Sequence, residues 1–578
     1  MIDLSPRDLT TIKRILARLV PECEVRAFGS RIAGNARENS DLDLVVVGPD
    51  KVSRRTLSSL RNELEESSIP VTVDVLDWHR ISPEFRKNIE KQYETIQNIH
   101  ERTIPEGWTI RKLSEIAEVI GGGTPKTDNE EYWGGDIPWI TPKDLSKDHP
   151  RFVSCGERNI TRKGLENSSA RLLPPNSVLL TSRAPVGYVA LAGKSLTTNQ
   201  GLRNLVLRDG YNPQFIYYLL RQNTEYLKQH ASGSTFQEIS GSTLKTLEFP
   251  IPPFVEQRTI ADILGSLDDK IELNRRTNRV LEDMARAIFK AWFIDFLPVR
   301  WKAAQAGNQP SGCAPSPPAP LPAGEGTRRD TIPPLPLGEG PGVRGRRLHF
   351  GLPQEVFDQL PDRFTESELG PVPEGWEVMP IGDMVKVVGG GTPRTKNPEF
   401  WEGGMNPFCT PKDMSKLDVP VILDTERKIT AAGVDKISSG QLPVGTVILS
   451  SRAPIGYLAL AATPLSVNQG IIAMQTGNIP NTYVLLWTEA NMDRIKSQAG
   501  GSTFAEISKR NFRPIPALRP DDNTLSAFGE IGATIYDAIL SNARESRILA
   551  ELRDTLLPKL ISGELRVSEA ERRVEEAV

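Results

Sequence analysis

The second half of this chain restates the first, motif by motif and in the same order, and that duplication constrains the fold more than any other feature. Gly121-Gly122-Gly123-Thr124-Pro125 returns as Gly389-Gly390-Gly391-Thr392-Pro393, Thr141-Pro142-Lys143-Asp144 as Thr410-Pro411-Lys412-Asp413, and Ser182-Arg183-Ala184-Pro185 as Ser451-Arg452-Ala453-Pro454. Asn199-Gln200-Gly201 returns as Asn468-Gln469-Gly470, and Gly233-Ser234-Thr235-Phe236 as Gly501-Ser502-Thr503-Phe504. The offset holds at 268 or 269 residues, from Gly121 to Gly389 and from Thr141 to Thr410. Solenoid repeats have periods of about 20 to 50 residues, so each copy here is a whole domain with its own core. Motifs shared by both copies are expected to be scaffold. Residues that let the copies bind different things are expected in the unmatched segments, about 145–175 and 414–445.

Length and composition fit several globular domains. A chain of 578 residues with 38% hydrophobic content supports about three to five. With 70 basic against 73 acidic residues, net charge gives no global attraction to nucleic acid, so local patches or a basic partner must supply it. No apolar run approaches the roughly 18 to 20 residues that span a bilayer, and an N-terminus with Asp3 and Arg7 lacks a signal-peptide core. The expected location is the cytoplasm, with no membrane contact. Cys23, Cys155, Cys313 and Cys409 are too scattered for a metal knuckle or a compact disulfide framework.

Residues 1–103 do not take part in the repeat. Helical spacing in Leu9, Ile12, Ile15 and Leu16 leads to an apolar run from Leu42 to Val47 and an alternating stretch from Val71 to Leu76, which predicts a small α/β domain. The two copies, 104–253 and 369–519, are rich in short β-branched runs punctuated by Gly and Pro and read as α+β. A long helix follows each, over 254–300 and 520–566. In the first, Ile260, Leu264, Leu267, Ile271, Asn274, Asn278, Leu281, Ala285, Ile288 and Trp292 advance by steps of four and three, a coiled-coil seam. Ile535, Ile539, Asn542, Ser546, Leu549 and Leu556 repeat it, so Asn274 is expected to face Asn542, in a parallel or antiparallel pair. Residues 301–368 are expected to be a low-complexity linker, its Pro- and Gly-rich composition unable to bury a core. Residues 567–578 form a charged tail.

From about Pro105 to Val567 the chain resembles the DNA-specificity subunits of type I restriction-modification enzymes. The resemblance rests on the Gly-Trp openings (Gly107-Trp108, Gly375-Trp376), the repeated motifs above, and the segments Ile288–Phe293 and Leu556–Leu565. It implies two target-recognition domains separated by two long coiled-coil helices, each domain reading half of a split site in double-stranded DNA. It also implies docking of methyltransferase and motor-nuclease subunits. Arg183 and Arg452, in the Ser-Arg-Ala-Pro turns, are candidate phosphate or guanine contacts, or else corners paired with an acid. Lys143 and Lys412 are weaker candidates because Asp144 and Asp413 follow them. Ser234, Thr235, Ser502 and Thr503 are candidate helix caps. No methyltransferase motif or P-loop is present, so this half is read as a binder without a cofactor.

Gly29-Ser30-Arg31, then Ser40-Asp41-Leu42-Asp43, spells a Gly-Ser turn followed at ten residues by Asp-x-Asp. Two aspartates two apart on a strand share a face and suit a divalent metal, while a Gly-Ser turn lets backbone amides approach a triphosphate. The pattern resembles the minimal nucleotidyltransferases of the polymerase-beta superfamily. That resemblance implies Mg²⁺ and a nucleoside triphosphate, catalytic and metal-binding roles for Asp41, Asp43 and a third carboxylate at Asp74 (Asp77 as the alternative), and nucleotide-binding roles for Gly29, Ser30 and Arg31. Three readings follow: a specificity subunit with an accessory nucleotidyltransferase, an antitoxin-like enzyme transferring AMP to a protein partner, or a fusion whose halves share no task.

Overall fold

The computed structural model describes residues 4–20, 23–33, 40–48, 51–67, 69–97, 105–146, 149–233, 237–307, 351–452, 454–500 and 505–575. The chain packs as two units, one of residues 1–267 with 552–578 and one of residues 268–551. Each unit holds one repeat, part of one long helix and part of the other.

The first unit opens with a four-stranded sheet of β1 (Glu24–Phe28), β2 (Leu42–Val47), β3 (Val73–Asp77) and β4 (Glu94–Gln97), ordered β3-β2-β1-β4. Strand β2 runs parallel to β3 and antiparallel to β1. Helices Pro6–Leu19 and Arg54–Glu65 cover one face; Ser5 and Ser53 accept hydrogen bonds from the amides of Asp8 and Thr56, satisfying donors that a helix start leaves unpaired. Ile12, Leu16, Leu44, Val46, Leu57 and Leu60 close the core between them. This is the expected α/β domain.

The repeats have the same sheet topology. In the first, a five-stranded sheet runs in the order 117–121, 202–207, 178–181, 189–192, 152–153, and a three-stranded sheet joins 197–198, 133–140 and 158–160. In the second, the corresponding orders are 386–389, 471–475, 447–450, 458–461, 421–422 and 466–467, 406–409, 427–429. The strands Val178–Thr181 and Val447–Ser450 are wholly buried, which explains their unbroken apolar runs. The shared motifs bind this scaffold together. Asp144 accepts from the backbone and hydroxyl of Thr141, and Asp413 does the same for Thr410. The amides of Ser182 and Ser451 donate to the carbonyls of Gly201 and Gly470. A Cβ on Gly122 would stand 2.0 Å from the Asn199 carbonyl oxygen, and one on Gly390 would stand 1.9 Å from that of Val467, so only glycine admits the close approach.

Each Gly-Trp opening is fastened to the start of the helix that ends its repeat: Trp108 Nε1 donates to Glu256 at 3.1 Å and Trp376 Nε1 to Asp521 at 3.2 Å. Those helices run over Phe254–Phe293 and Asp522–Ser562. Within the second unit they pack together with polar seam residues facing each other. Asn274 Nδ2 donates to Glu545 at 2.8 Å and Ser546 at 3.2 Å, Asn542 Nδ2 donates to Asn278 Oδ1 at 2.8 Å, and Lys270 pairs with Glu545 at 3.2 Å. Phe289 and Trp292 pack edge-on against Phe528. Partners descend along one helix as they ascend along the other, so the pair is antiparallel.

The first helix ends at Phe293, and a separate helix, Leu297–Gln305, follows. Residues 301–305 of that helix and residues 351–368 fall inside the span expected as linker, yet Leu352, Phe357 and Leu360 are buried in the core of the second unit and Trp301 packs against it. Residues 308–350 lie outside the described residues. Among the described residues no helix is long and apolar enough to cross a membrane, and Cys23 and Cys409 are buried while Cys155 is exposed.

Candidate functional sites

In the N-terminal domain, parallel pairing sets Asp43 of β2 directly beside Asp74 of β3, and Asp41 stands exposed just before β2. Burial first, then the charges of Asp74 and Asp41, raise the pKa of Asp43 above the usual aspartate range. The neighbouring carboxylates thus add to the effect of burial, and a nearby positive charge would act in the opposite direction. Gly29, at the end of β1 with φ +82°, faces them: a Cβ there would meet Asp43 Oδ2 at 2.2 Å. The turn is therefore a cradle that only glycine leaves open. Ser30 begins the short helix Ser30–Ala33. Arg31 is buried and its Nε donates to the Ser40 carbonyl at 2.8 Å, tying the turn to the segment that carries Asp41.

Asp77, the alternative third carboxylate, is engaged elsewhere. It caps the turn at His79 and pairs with Arg80 at 2.9 Å. Among the described residues no three His, Cys, Asp or Glu side chains are grouped closely enough to hold a metal ion as they stand.

In the repeats, every candidate DNA-contacting cation has a carboxylate partner, in matching positions. Lys143 pairs with Glu157 at 2.9 Å and Lys412 with Glu426 at 3.1 Å; Arg183 pairs with Glu238 and Arg452 with Glu506, both at 3.7 Å. The structure thus places the Ser-Arg-Ala-Pro arginines at acid-paired corners. Such solvent-screened pairs are weak, and a phosphate would compete with the acid for each of these cations. Ser234, Thr235, Ser502 and Thr503 lie outside the described residues. The segments expected to be unmatched also hold a repeat that sequence reasoning missed, Glu157-Arg158-Asn159-Ile160-Thr161 against Glu426-Arg427-Lys428-Ile429-Thr430.

The type I restriction modification DNA specificity domain model matches residues 105–283 and 373–523, and the polymerase beta nucleotidyltransferase model matches residues 11–102. The chain belongs to the type I restriction-modification specificity family and carries an N-terminal nucleotidyltransferase domain. It is 32% identical over 474 residues to the type I restriction enzyme MjaIX specificity subunit of Methanocaldococcus jannaschii, covering 81% of this chain and 95% of that one. It is 28% identical over 438 residues to the HindI specificity subunit of Haemophilus influenzae, covering 72% and 92%. The N-terminal domain is 39% identical over 103 residues to a probable protein adenylyltransferase, MntA, of Haemophilus influenzae, covering 18% of this chain and 90% of that one.

Proposed function

We propose that this chain is the specificity subunit of a type I restriction-modification complex, in which each repeat reads one half of a split site in double-stranded DNA. The observation that carries the reading is the duplication of one sheet scaffold, each copy ending in a helix of the same antiparallel pair. Helices of 40 and 41 residues are about 60 Å long at 1.5 Å per residue, a length that suits half-sites set apart along the duplex. Methyltransferase and motor-nuclease subunits are the expected partners. Because acidic and basic residues nearly balance, phosphate neutralisation by the lone chain is limited. Titration of a labelled duplex in rising salt should show weak, salt-sensitive binding by the chain alone and tighter, sequence-selective binding with its methyltransferase partner. Tight selective binding by the lone chain at physiological salt would contradict this.

The N-terminal domain supports a second activity, transfer of a nucleotide to a protein acceptor. Asp41, Asp43 and Asp74 would hold Mg²⁺, which when bound would neutralise phosphate charge and orient the triphosphate. The open cradle at Gly29 and Ser30 would admit the phosphates. At about 100 residues the domain has no separate lobe for a small acceptor, which favours a macromolecule. A label from α-labelled ATP should appear on a second protein and be lost with Asp41→Asn and Asp43→Asn together; labelling that survives the double change would sink the assignment.

A further inference from the structure

Two arginines that no shared turn motif contains are held in the same unusual setting in both repeats. The Arg158 guanidinium carbon lies 3.5 Å above the Trp133 ring, and that of Arg427 lies 3.6 Å above Trp401. Each indole is fixed twice. Its Nε1 donates at 3.1 Å to a carbonyl seven residues earlier, Lys126 or Arg394, and a buried ring, Trp139 or Phe408, packs edge-on at 5.0 or 5.3 Å. Each arginine sits on an outer strand of its three-stranded sheet, opposite that same buried residue. Both arginines are exposed, and neither forms an ion pair with a described residue. The adjacent acids, Glu157 and Glu426, are occupied by Lys143 and Lys412.

We infer that Arg158 and Arg427 are DNA phosphate contacts that position the two repeats on the duplex, a role that rests on the DNA-recognition reading above. Stacking on an indole holds the guanidinium flat and keeps its edge N–H groups turned outward. Less rotamer freedom is then lost when those donors grip a phosphate in a two-pronged contact. Because the device is identical in both repeats, it carries no sequence information of its own; discrimination belongs to neighbours that differ, such as Asn159 against Lys428.

The test uses the full chain with its methyltransferase partner, a duplex carrying the methylated motif and a random-sequence duplex, with thermal unfolding as the folding control. Arg158→Gln with Arg427→Gln should weaken both duplexes by the same factor and lower the slope of log K against log salt by about 2, one unit per lost phosphate contact. Arg158→Lys with Arg427→Lys should keep the slope and lose part of the affinity. Unchanged binding by the Gln pair overturns the inference, as does loss confined to the motif duplex, or a Lys pair as weak and as salt-insensitive as the Gln pair. Failure of the unaltered complex to bind either duplex would instead overturn the DNA-recognition reading itself.

Discussion

Asp43 shows how one residue is set against the stability of its own domain. Its pKa is raised by burial and by Asp74 and Asp41, so the folded state disfavours its charged form. Between the unfolded and folded pKa values the native state holds more protons than the unfolded one, and stability falls as pH rises through that window. Asp43→Asn should therefore raise the melting temperature of the chain at neutral pH while abolishing nucleotide transfer, and the gain should shrink as the pH falls below the folded pKa of Asp43 and be gone below its unfolded pKa. A lower melting temperature at neutral pH would show that the carboxylate is structural. That Asp74 and Asp77 face opposite ways on β3 was legible from strand alternation alone, because they are an odd number of residues apart. The ion pair of Asp77 with Arg80 was not, because it forms only when the chain turns after β3 into the single helical turn Trp78–Arg80.

At the scale of elements, the seam between the long helices depends on its polar residues. Asn274 and Asn278 are almost fully buried and bonded to Glu545, Ser546 and Asn542. Removing one partner strands the other. Asn278→Ala should cost about 1 to 3 kcal/mol in urea denaturation, whereas Asn278→Leu with Asn542→Leu should recover most of that loss while weakening the register. Additive losses in that double-mutant cycle would mean that the two amides are not coupled. The heptad spacing made the pairing of Asn274 with the Asn542 region legible but not its direction, because a period of 3.5 reads the same from either end. The linker boundary was misjudged for a related reason: composition averaged over 301–368 hides Leu352, Phe357 and Leu360, single apolar residues that find a core only in three dimensions.

Across the whole molecule, the duplication was the most legible property, and the two repeats do share one strand order. Less legible was which repeated residues hold the scaffold and which face outward. Asp144 and Asp413 fasten turns to threonines three residues away, a local spacing present in the sequence, whereas the Ser-Arg-Ala-Pro arginines meet Glu238 and Glu506, which are distant in sequence and arrive beside them only in the fold. Residues 308–350 join two segments that pack into the same core of the second unit, with Trp301 against Phe357, so shortening them should leave the recognised DNA sequence unchanged. The most direct measurement is genome-wide mapping of methylated adenine in cells carrying this gene and its methyltransferase, beside cells lacking it. The predicted result is a split motif of two half-sites with an unread gap, which disappears on deletion and in which exchange of one repeat alters one half-site. Methylation that is unchanged by deletion, or a single uninterrupted motif, would contradict the two-reader function.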